Sequence, residues 1–115
     1  MNKVFNKKCG SIGEINVVEF LRAKKYKILA QNYKTKLGEI DVICLHKGTI
    51  VFVEVKTRET LAFGSPSEAV NYRKQQKIRR VAEEYLMKNH LPEAMVRFDV
   101  VEVIGETINH IENCF

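Results

Sequence analysis

The sequence has few of several residue types, among them the cysteines that form disulfides and metal sites. It has no tryptophan, two prolines and three cysteines. The cysteines are far apart and lack CxxC spacing: Cys9, Cys44 and Cys114. This pattern indicates reduced structural thiols and argues against a disulfide framework or a zinc site. The histidines are equally scattered, and we expect surface or loop positions for them: His46, His90 and His110.

Long apolar runs are also missing. No stretch approaches the roughly 18 residues of a membrane span, and the N-terminal sequence MNKVFNKKCG lacks the apolar centre of a signal peptide. We therefore expect a cytoplasmic protein. With 115 residues and 45% hydrophobic content, the chain predicts a single domain spanning residues 1–115 with enough apolar material for a core.

The charge balance is modestly basic. Nineteen Lys and Arg against fourteen Asp and Glu give a formal net charge of +5, which favours an anionic partner without requiring one. The basic residues concentrate in two segments, around Lys34 to Arg58 and around Arg73 to Arg80. For the second segment, a solvated helix face is the simpler interpretation.

Hydrophobic periodicity predicts an α/β (α+β) domain with helices on a mixed sheet, in the order αβββαβ with a short extra C-terminal strand. The predicted elements are a helix over 11–25, strands over 26–33, 37–46 and 49–57, a helix over 65–89, and strands over 97–104 and 108–111. The second helix is predicted to start at Ser65, as an N-cap followed by Pro66. This order excludes an all-β barrel and a helical bundle.

The central hairpin, GEIDVICLHKGTIVFVEVKTR, carries charges inside apolar strands. If its turn is centred on Lys47 and Gly48, strand alternation sets Asp41 opposite Glu54 on one face. Two opposed carboxylates repel each other and are poorly solvated in an apolar strand, whereas a hard divalent cation between them converts repulsion into coordination. The same register sets Glu39 opposite Lys56, where an ordinary cross-strand ion pair is sufficient explanation.

Three further charged residues lie on apolar patterns. Glu14 falls in the apolar arc of the first helix and either faces the sheet or is a first-turn acid favoured by the helix dipole. Lys74 and Lys77 lie on the apolar stripe of the second helix and either extend to water or face a phosphate backbone. Asp99 in RFDVV is expected to pair with Arg97 or a helix lysine.

The motifs G-E-I-D-V-I and V-F-V-E-V-K-T-R, in this order, resemble those of the PD-(D/E)xK nuclease superfamily, which has a restriction-endonuclease-like fold. The nearer resemblance is to the YraN-like family of small bacterial proteins, predicted endonucleases similar to Holliday-junction resolvases. It extends from Gly13-Glu14 through the hairpin and Lys74-Gln75 to Arg97-Phe98-Asp99. In place of the superfamily's usual proline before the first acid stands Ile40.

The resemblance implies a role for each matching residue. Asp41 and Glu54 would hold Mg²⁺ or Mn²⁺, with the backbone carbonyl of Val55, and Glu14 would be an additional acid near the metal. Lys56 would lie beside the attacking water or the scissile phosphate. Lys74 and Gln75 would be the polar residues of the second helix that approach the substrate. From the clustering of basic residues, contacts with nucleic acid are also expected at Lys34, Lys36, Arg58, Arg73 and Lys77.

These implications predict a metal-dependent endonuclease that hydrolyses DNA phosphodiesters, with branched or structured DNA suggested by the resolvase resemblance. The alternative is a non-catalytic nucleic-acid-binding or adaptor protein on the same fold. An enzyme acting on a small phosphorylated substrate is disfavoured because the sequence lacks a glycine-rich phosphate loop. A homodimer would suit the cutting of two strands, and an exposed C-terminal edge strand could mediate it.

Overall fold

A computed structural model describes residues 16–58 and 70–115 of the chain. Residues 16–23 are helical and are termed α1. The other elements are β1 (Lys27–Thr35), β2 (Gly38–His46), β3 (Thr49–Arg58), α2 (Tyr72–Lys88), β4 (Met95–Ile104) and β5 (Thr107–Ile111). The order αβββαββ confirms the predicted mixed α+β architecture, including the extra C-terminal strand. Within the described ranges, no helix is long and apolar enough to cross a membrane.

The strands form one mixed sheet in the order β1-β2-β3-β4-β5. Neighbouring strands are antiparallel except for β3 and β4, which run parallel and are paired from Thr49 with Met95 to Arg58 with Ile104. A parallel pair needs a crossover connection, and α2 supplies the helix of that connection. Strand β1 is irregular: its register with β2 shifts between Ile28 and Ala30, and Asn32 has a φ of 50°.

The hairpin turn between β2 and β3 lies where the sequence predicts it. His46 is paired with Thr49, so the turn consists of Lys47 and Gly48, whose φ values are 50° and 81°. Positive φ at both central residues matches the right-handed twist of antiparallel strands, and glycine adopts it without steric penalty. This short turn fixes the register of the whole hairpin.

The sheet buries an apolar cluster on each face. On one face α1 packs through Val17, Val18 and Leu21 on β-strand residues that include Val53 and Val101. On the other face α2 packs through Ile78, Val81, Ala82 and Tyr85 on residues that include Ile43, Phe52 and Val100. The two faces are called the α1 face and the α2 face below.

The predicted start of the second helix is wrong as a continuous helix from Ser65. Residues 65–69 lie outside the described part of the chain, but Val70 and Asn71 are not helical, and α2 begins at Tyr72. Asn71 is the N-cap, and its side chain accepts a hydrogen bond from the backbone N–H of Lys74 at 2.9 Å. An asparagine side chain at this position satisfies a first-turn N–H as well as the predicted serine would.

Candidate active site

The pairing of β2 with β3 runs from His46 with Thr49 up to Val42 with Val53. Asp41 and Glu54 are the next residues on the two strands, just beyond the last pair of this ladder. Both are buried, with relative exposures of 9% and 6%. At this point a side chain continues the contact between the strands: the Val55 N–H donates to Asp41 Oδ2 at 2.8 Å.

Two lysines surround Glu54. Lys74, from the first turns of α2, places Nζ 2.6 Å from Glu54 Oε2. Lys56, two residues along β3 on the same face, places Nζ 3.9 Å from the same oxygen. The α2 face therefore brings together Asp41, Glu54, Lys56 and Lys74, and these four residues are called the acid-lysine cluster.

Close packing of α2 on the start of β2 positions Lys74. Gly38 has a φ of 149°, and a Cβ atom built there would lie 3.6 Å from Val81 Cγ2 and 4.0 Å from Lys77 Cβ. These are ordinary contact distances that leave room for a side chain, so it is the positive φ that favours glycine at this position. The side chain of Gln75 donates to the Val70 carbonyl at 2.8 Å and further ties the helix to the residue before its cap.

The cluster shifts the pKa values of its two lysines in opposite directions. Burial and repulsion from the Lys74 ammonium lower the pKa of Lys56. Burial also acts to lower the pKa of Lys74, but the hydrogen bond and charge of Glu54 outweigh it and raise that pKa above its ordinary value. Lys74 is therefore the firmly charged partner of Glu54, whereas Lys56 is the lysine that gives up its proton more readily.

The expected ion pair between Glu39 and Lys56 is wrong. The ladder between β2 and β3 ends at Val42 and Val53, so Glu39 has no position opposite Lys56. Glu39 is exposed and is paired in register with Lys34 of β1. Among the described residues, Lys56 has its carboxylate contact with Glu54.

A further buried acid, missed in the sequence, lies on the same face. Glu102 of β4 is paired in register with Lys56 and is 3% exposed. Arg58 Nε lies 3.0 Å from Glu102 Oε2 and forms an ion pair with it. The angles at this oxygen do not satisfy the geometry of a hydrogen bond. The signal that could have found it is the one that found Asp41: a carboxylate in the middle of an apolar strand, here VVEVI.

The other residues predicted to contact nucleic acid are spread over three places. Lys34 and Lys36 are exposed on β1 and in the turn that follows it. Arg73 and Lys77 are exposed on α2 and line a shallow surface pocket of about 460 Å³. The remaining lining residues of this pocket are Tyr72, Gln76 and Arg80. A basic surface with an aromatic side chain thus adjoins the acid-lysine cluster along α2.

The third place is within the protein. There Arg58 contacts Glu102, and Gln75 donates a hydrogen bond to the Val70 carbonyl.

Asp99 lies on the α1 face, away from the cluster, and its pairing with Arg97 is as predicted. The Asp99 carboxylate is fully buried and accepts from Arg97 Nε and Nη2, both at 2.9 Å. It also contacts His110 Nε2 at 2.6 Å and accepts from the Asn113 N–H at 2.9 Å. Tyr26 completes the network by accepting from Arg97 Nη2 at 2.6 Å. The network joins β4 and β5 to Tyr26, the residue just before β1.

The expectation of a surface or loop position for His110 is wrong. His110 lies in β5, and its side chain is 3% exposed. Its partner Asp99 is eleven residues away in the sequence, so spacing along the chain carried no signal of the pair.

The donor set of the cluster fits a hard divalent cation. Mg²⁺ binds through one or two carboxylates plus water and substrate phosphate oxygens, and Asp41 and Glu54 supply two carboxylates beside the backbone of Val55. In residues 16–58 and 70–115 there is no group of three or more His, Cys, Asp or Glu side chains that could hold a metal ion. The predicted additional acid, Glu14, lies outside these ranges.

Comparison with known proteins identifies the family. Residues 13–103 match the model of the uncharacterised protein family UPF0102. The chain belongs to this family. A UPF0102 protein of Alkaliphilus oremlandii (strain OhILAs) is 55% identical over 96% of this chain and 99% of its own length. One of Caldanaerobacter subterraneus subsp. tengcongensis is 48% identical over the full length of both chains, and one of Clostridioides difficile (strain 630) is 46% identical over 96% and 98%.

Family membership confirms part of the resemblance. The sequence motifs predicted membership of the YraN-like family, and UPF0102 is that family. The family name assigns no activity.

Proposed function

We propose that this UPF0102 protein is a metal-dependent endonuclease of the PD-(D/E)xK type that hydrolyses phosphodiester bonds in DNA. The observation that carries the proposal is the acid-lysine cluster. Asp41 and Glu54 are two buried carboxylates at the point where β2 and β3 stop pairing. A protein that only binds DNA would gain nothing from two buried acids that repel phosphate.

The chemistry of the proposed reaction matches the cluster. When bound, Mg²⁺ or Mn²⁺ would supply charge neutralisation at the phosphate and activation of water. Asp41, Glu54 and the Val55 carbonyl would hold it. Lys56, part-buried beside Glu54, would orient water or neutralise charge that develops on the phosphoryl oxygens. Arg73 and Lys77, exposed basic residues of α2, would contact phosphates of the DNA backbone.

The test is a cleavage assay with plasmid, linear, single-stranded and four-way-junction DNA, in Mg²⁺, Mn²⁺ or EDTA. We compare the unaltered protein with Asp41→Asn and Lys56→Ala. The asparagine variant retains an acceptor for the Val55 N–H and removes the charge. Lys88→Ala, at the far end of α2, is the matched lysine control.

Metal-dependent cleavage that falls by about a hundredfold or more in both cluster variants, but not in Lys88→Ala, supports the proposal. Preference for the four-way junction over linear duplex supports branched DNA as the substrate. Salt-sensitive DNA binding without cleavage in any metal, equal in all variants, would replace the nuclease with an adaptor protein.

A further inference from the structure

Of the two lysines beside Glu54, Lys74 lies nearer to its carboxylate. Its Nζ lies 2.6 Å from Glu54 Oε2, the short distance of a charge-assisted hydrogen bond. Lys56 Nζ lies farther away, at 3.9 Å from the same oxygen. The Glu54 side chain is only 7% exposed. Replacement of Lys74 by water as the partner of this carboxylate would therefore cost free energy.

Lys74 is also able to leave this position without unfolding the helix. Its backbone N–H is fixed by the Asn71 cap at 2.9 Å, but its side chain is 42% exposed. A lysine side chain rotates about four bonds, so Nζ can turn outward to solvent while the backbone of α2 stays in place.

Formal charges indicate what would move it. Asp41 and Glu54 carry −2 and Lys56 and Lys74 carry +2, so the acid-lysine cluster is balanced as it stands. Addition of a divalent cation leaves an excess of two positive charges in a part-buried site. The excess favours release of Lys74 from Glu54 and the arrival of an anion, which for the proposed reaction is a DNA phosphate.

We propose that Lys74 is a built-in counter-ion of Glu54 that competes with the divalent cation and, once displaced, becomes a ligand for phosphate. This inference rests on the proposed function, since it concerns the same site. It makes metal binding and DNA binding mutually reinforcing, with Lys74 as the coupling residue. Lys74 would thereby keep the site charge-balanced until cation and DNA are both present.

The test measures Mn²⁺ affinity directly, from the electron paramagnetic resonance signal of free Mn²⁺, without reference to cleavage. The full chain is compared with Lys74→Gln, Lys74→Arg and the charge-matched control Lys88→Gln. We expect Lys74→Gln to bind Mn²⁺ at least fivefold more tightly than the unaltered protein. Lys88→Gln and Lys74→Arg are expected to bind it as the unaltered protein does.

A second measurement uses the unaltered protein. The ammonium group of Lys74, assigned in nitrogen-15 spectra by its loss in Lys74→Arg, should be protected from exchange without Mg²⁺ and lose that protection as Mg²⁺ is added. Persistence of the protected signal at saturating Mg²⁺ would overturn the inference, as would equal or weaker Mn²⁺ binding by Lys74→Gln.

Failure of the inference is distinguishable from failure of the nuclease proposal. If the unaltered protein binds Mn²⁺ and loses it in Asp41→Asn while Lys74→Gln changes nothing, the metal site stands and the role of Lys74 is refuted. If neither the unaltered protein nor Lys74→Gln binds Mn²⁺ at millimolar concentration, both proposals fail. If Lys74→Gln binds Mn²⁺ and the unaltered protein does not, the result supports competition between Lys74 and the cation for Glu54.

Discussion

Replacement of Asp99 by asparagine tests whether the network on the α1 face holds β4, β5 and β1 together. The side chain keeps its shape but loses the charge that pairs with Arg97 and contacts His110. Removal of one partner from a buried ion pair leaves the other charge uncompensated, at a cost of about 3 to 5 kcal/mol. For a chain of 115 residues, this corresponds to a midpoint of thermal unfolding lower by about 10 to 20 °C.

The matched control is Glu112→Gln. Glu112 also contacts Arg97, but at 3.8 Å and with a side chain that is 52% exposed, so its loss should change the free energy of unfolding by less than about 1 kcal/mol. Both variants are measured by urea and thermal unfolding, followed by circular dichroism. A loss below about 1 kcal/mol in Asp99→Asn, or one equal to that of Glu112→Gln, would refute the reasoning.

The pH dependence gives an independent check on the same residue. Burial acts to raise the pKa of Asp99, but hydrogen bonds from His110, Arg97 and Asn113 outweigh it and lower the pKa. A carboxyl with a lower pKa in the folded state stabilises the fold above its unfolded pKa, near 4, and loses that contribution as the pH falls through the folded pKa. The contribution of the Asp99 charge to the stability difference between the unaltered protein and Asp99→Asn should therefore shrink as the pH falls below about 4.

Three further outcomes are expected elsewhere in the molecule. Because burial and the Lys74 charge lower the pKa of Lys56, Lys74→Gln should raise the Lys56 titration midpoint in carbon-13 spectra; an unchanged midpoint would contradict this. Burial raises the pKa of the Cys44 thiol to about 12, so alkylation at pH 8, followed by mass spectrometry, should reach Cys44 only as the protein unfolds. Glu102→Gln removes the carboxylate that pairs with Arg58 at 3.0 Å and should lower the free energy of unfolding in urea by about 1 to 3 kcal/mol; no change would show that the pair contributes nothing.

The sequence is sufficient to predict the β2–β3 hairpin and its turn, although the ion pair predicted between Glu39 and Lys56 is not formed. Its strands alternate regularly, and Lys47-Gly48 suits a two-residue turn, so local preferences fix the register. The proximity of Asp41 and Glu54 follows from that register. The contact of Glu54 with Lys74 was not predicted, because it depends on how α2 crosses the sheet, which periodicity along the helix does not determine.

Two other features depend on contacts between distant segments. The Asp99 network joins Arg97 to Tyr26, 71 residues earlier, and no local pattern encodes such a pair. The error at the start of α2 has the opposite cause. Ser65-Pro66 is a strong local start signal, but Val70 and Asn71 are not helical, and the Asn71 side chain caps the helix instead.

The irregularity of β1 has a consequence for self-association. Among the described strands, β1 lies at one edge of the sheet, and an edge strand presents backbone groups to which a second chain could add. Its register shift between Ile28 and Ala30 and the positive φ of Asn32 break that row into short pieces, so an added strand would find few consecutive partners. Growth of the sheet by edge-to-edge aggregation is therefore disfavoured on this side, and a second copy would find the more regular template at β5.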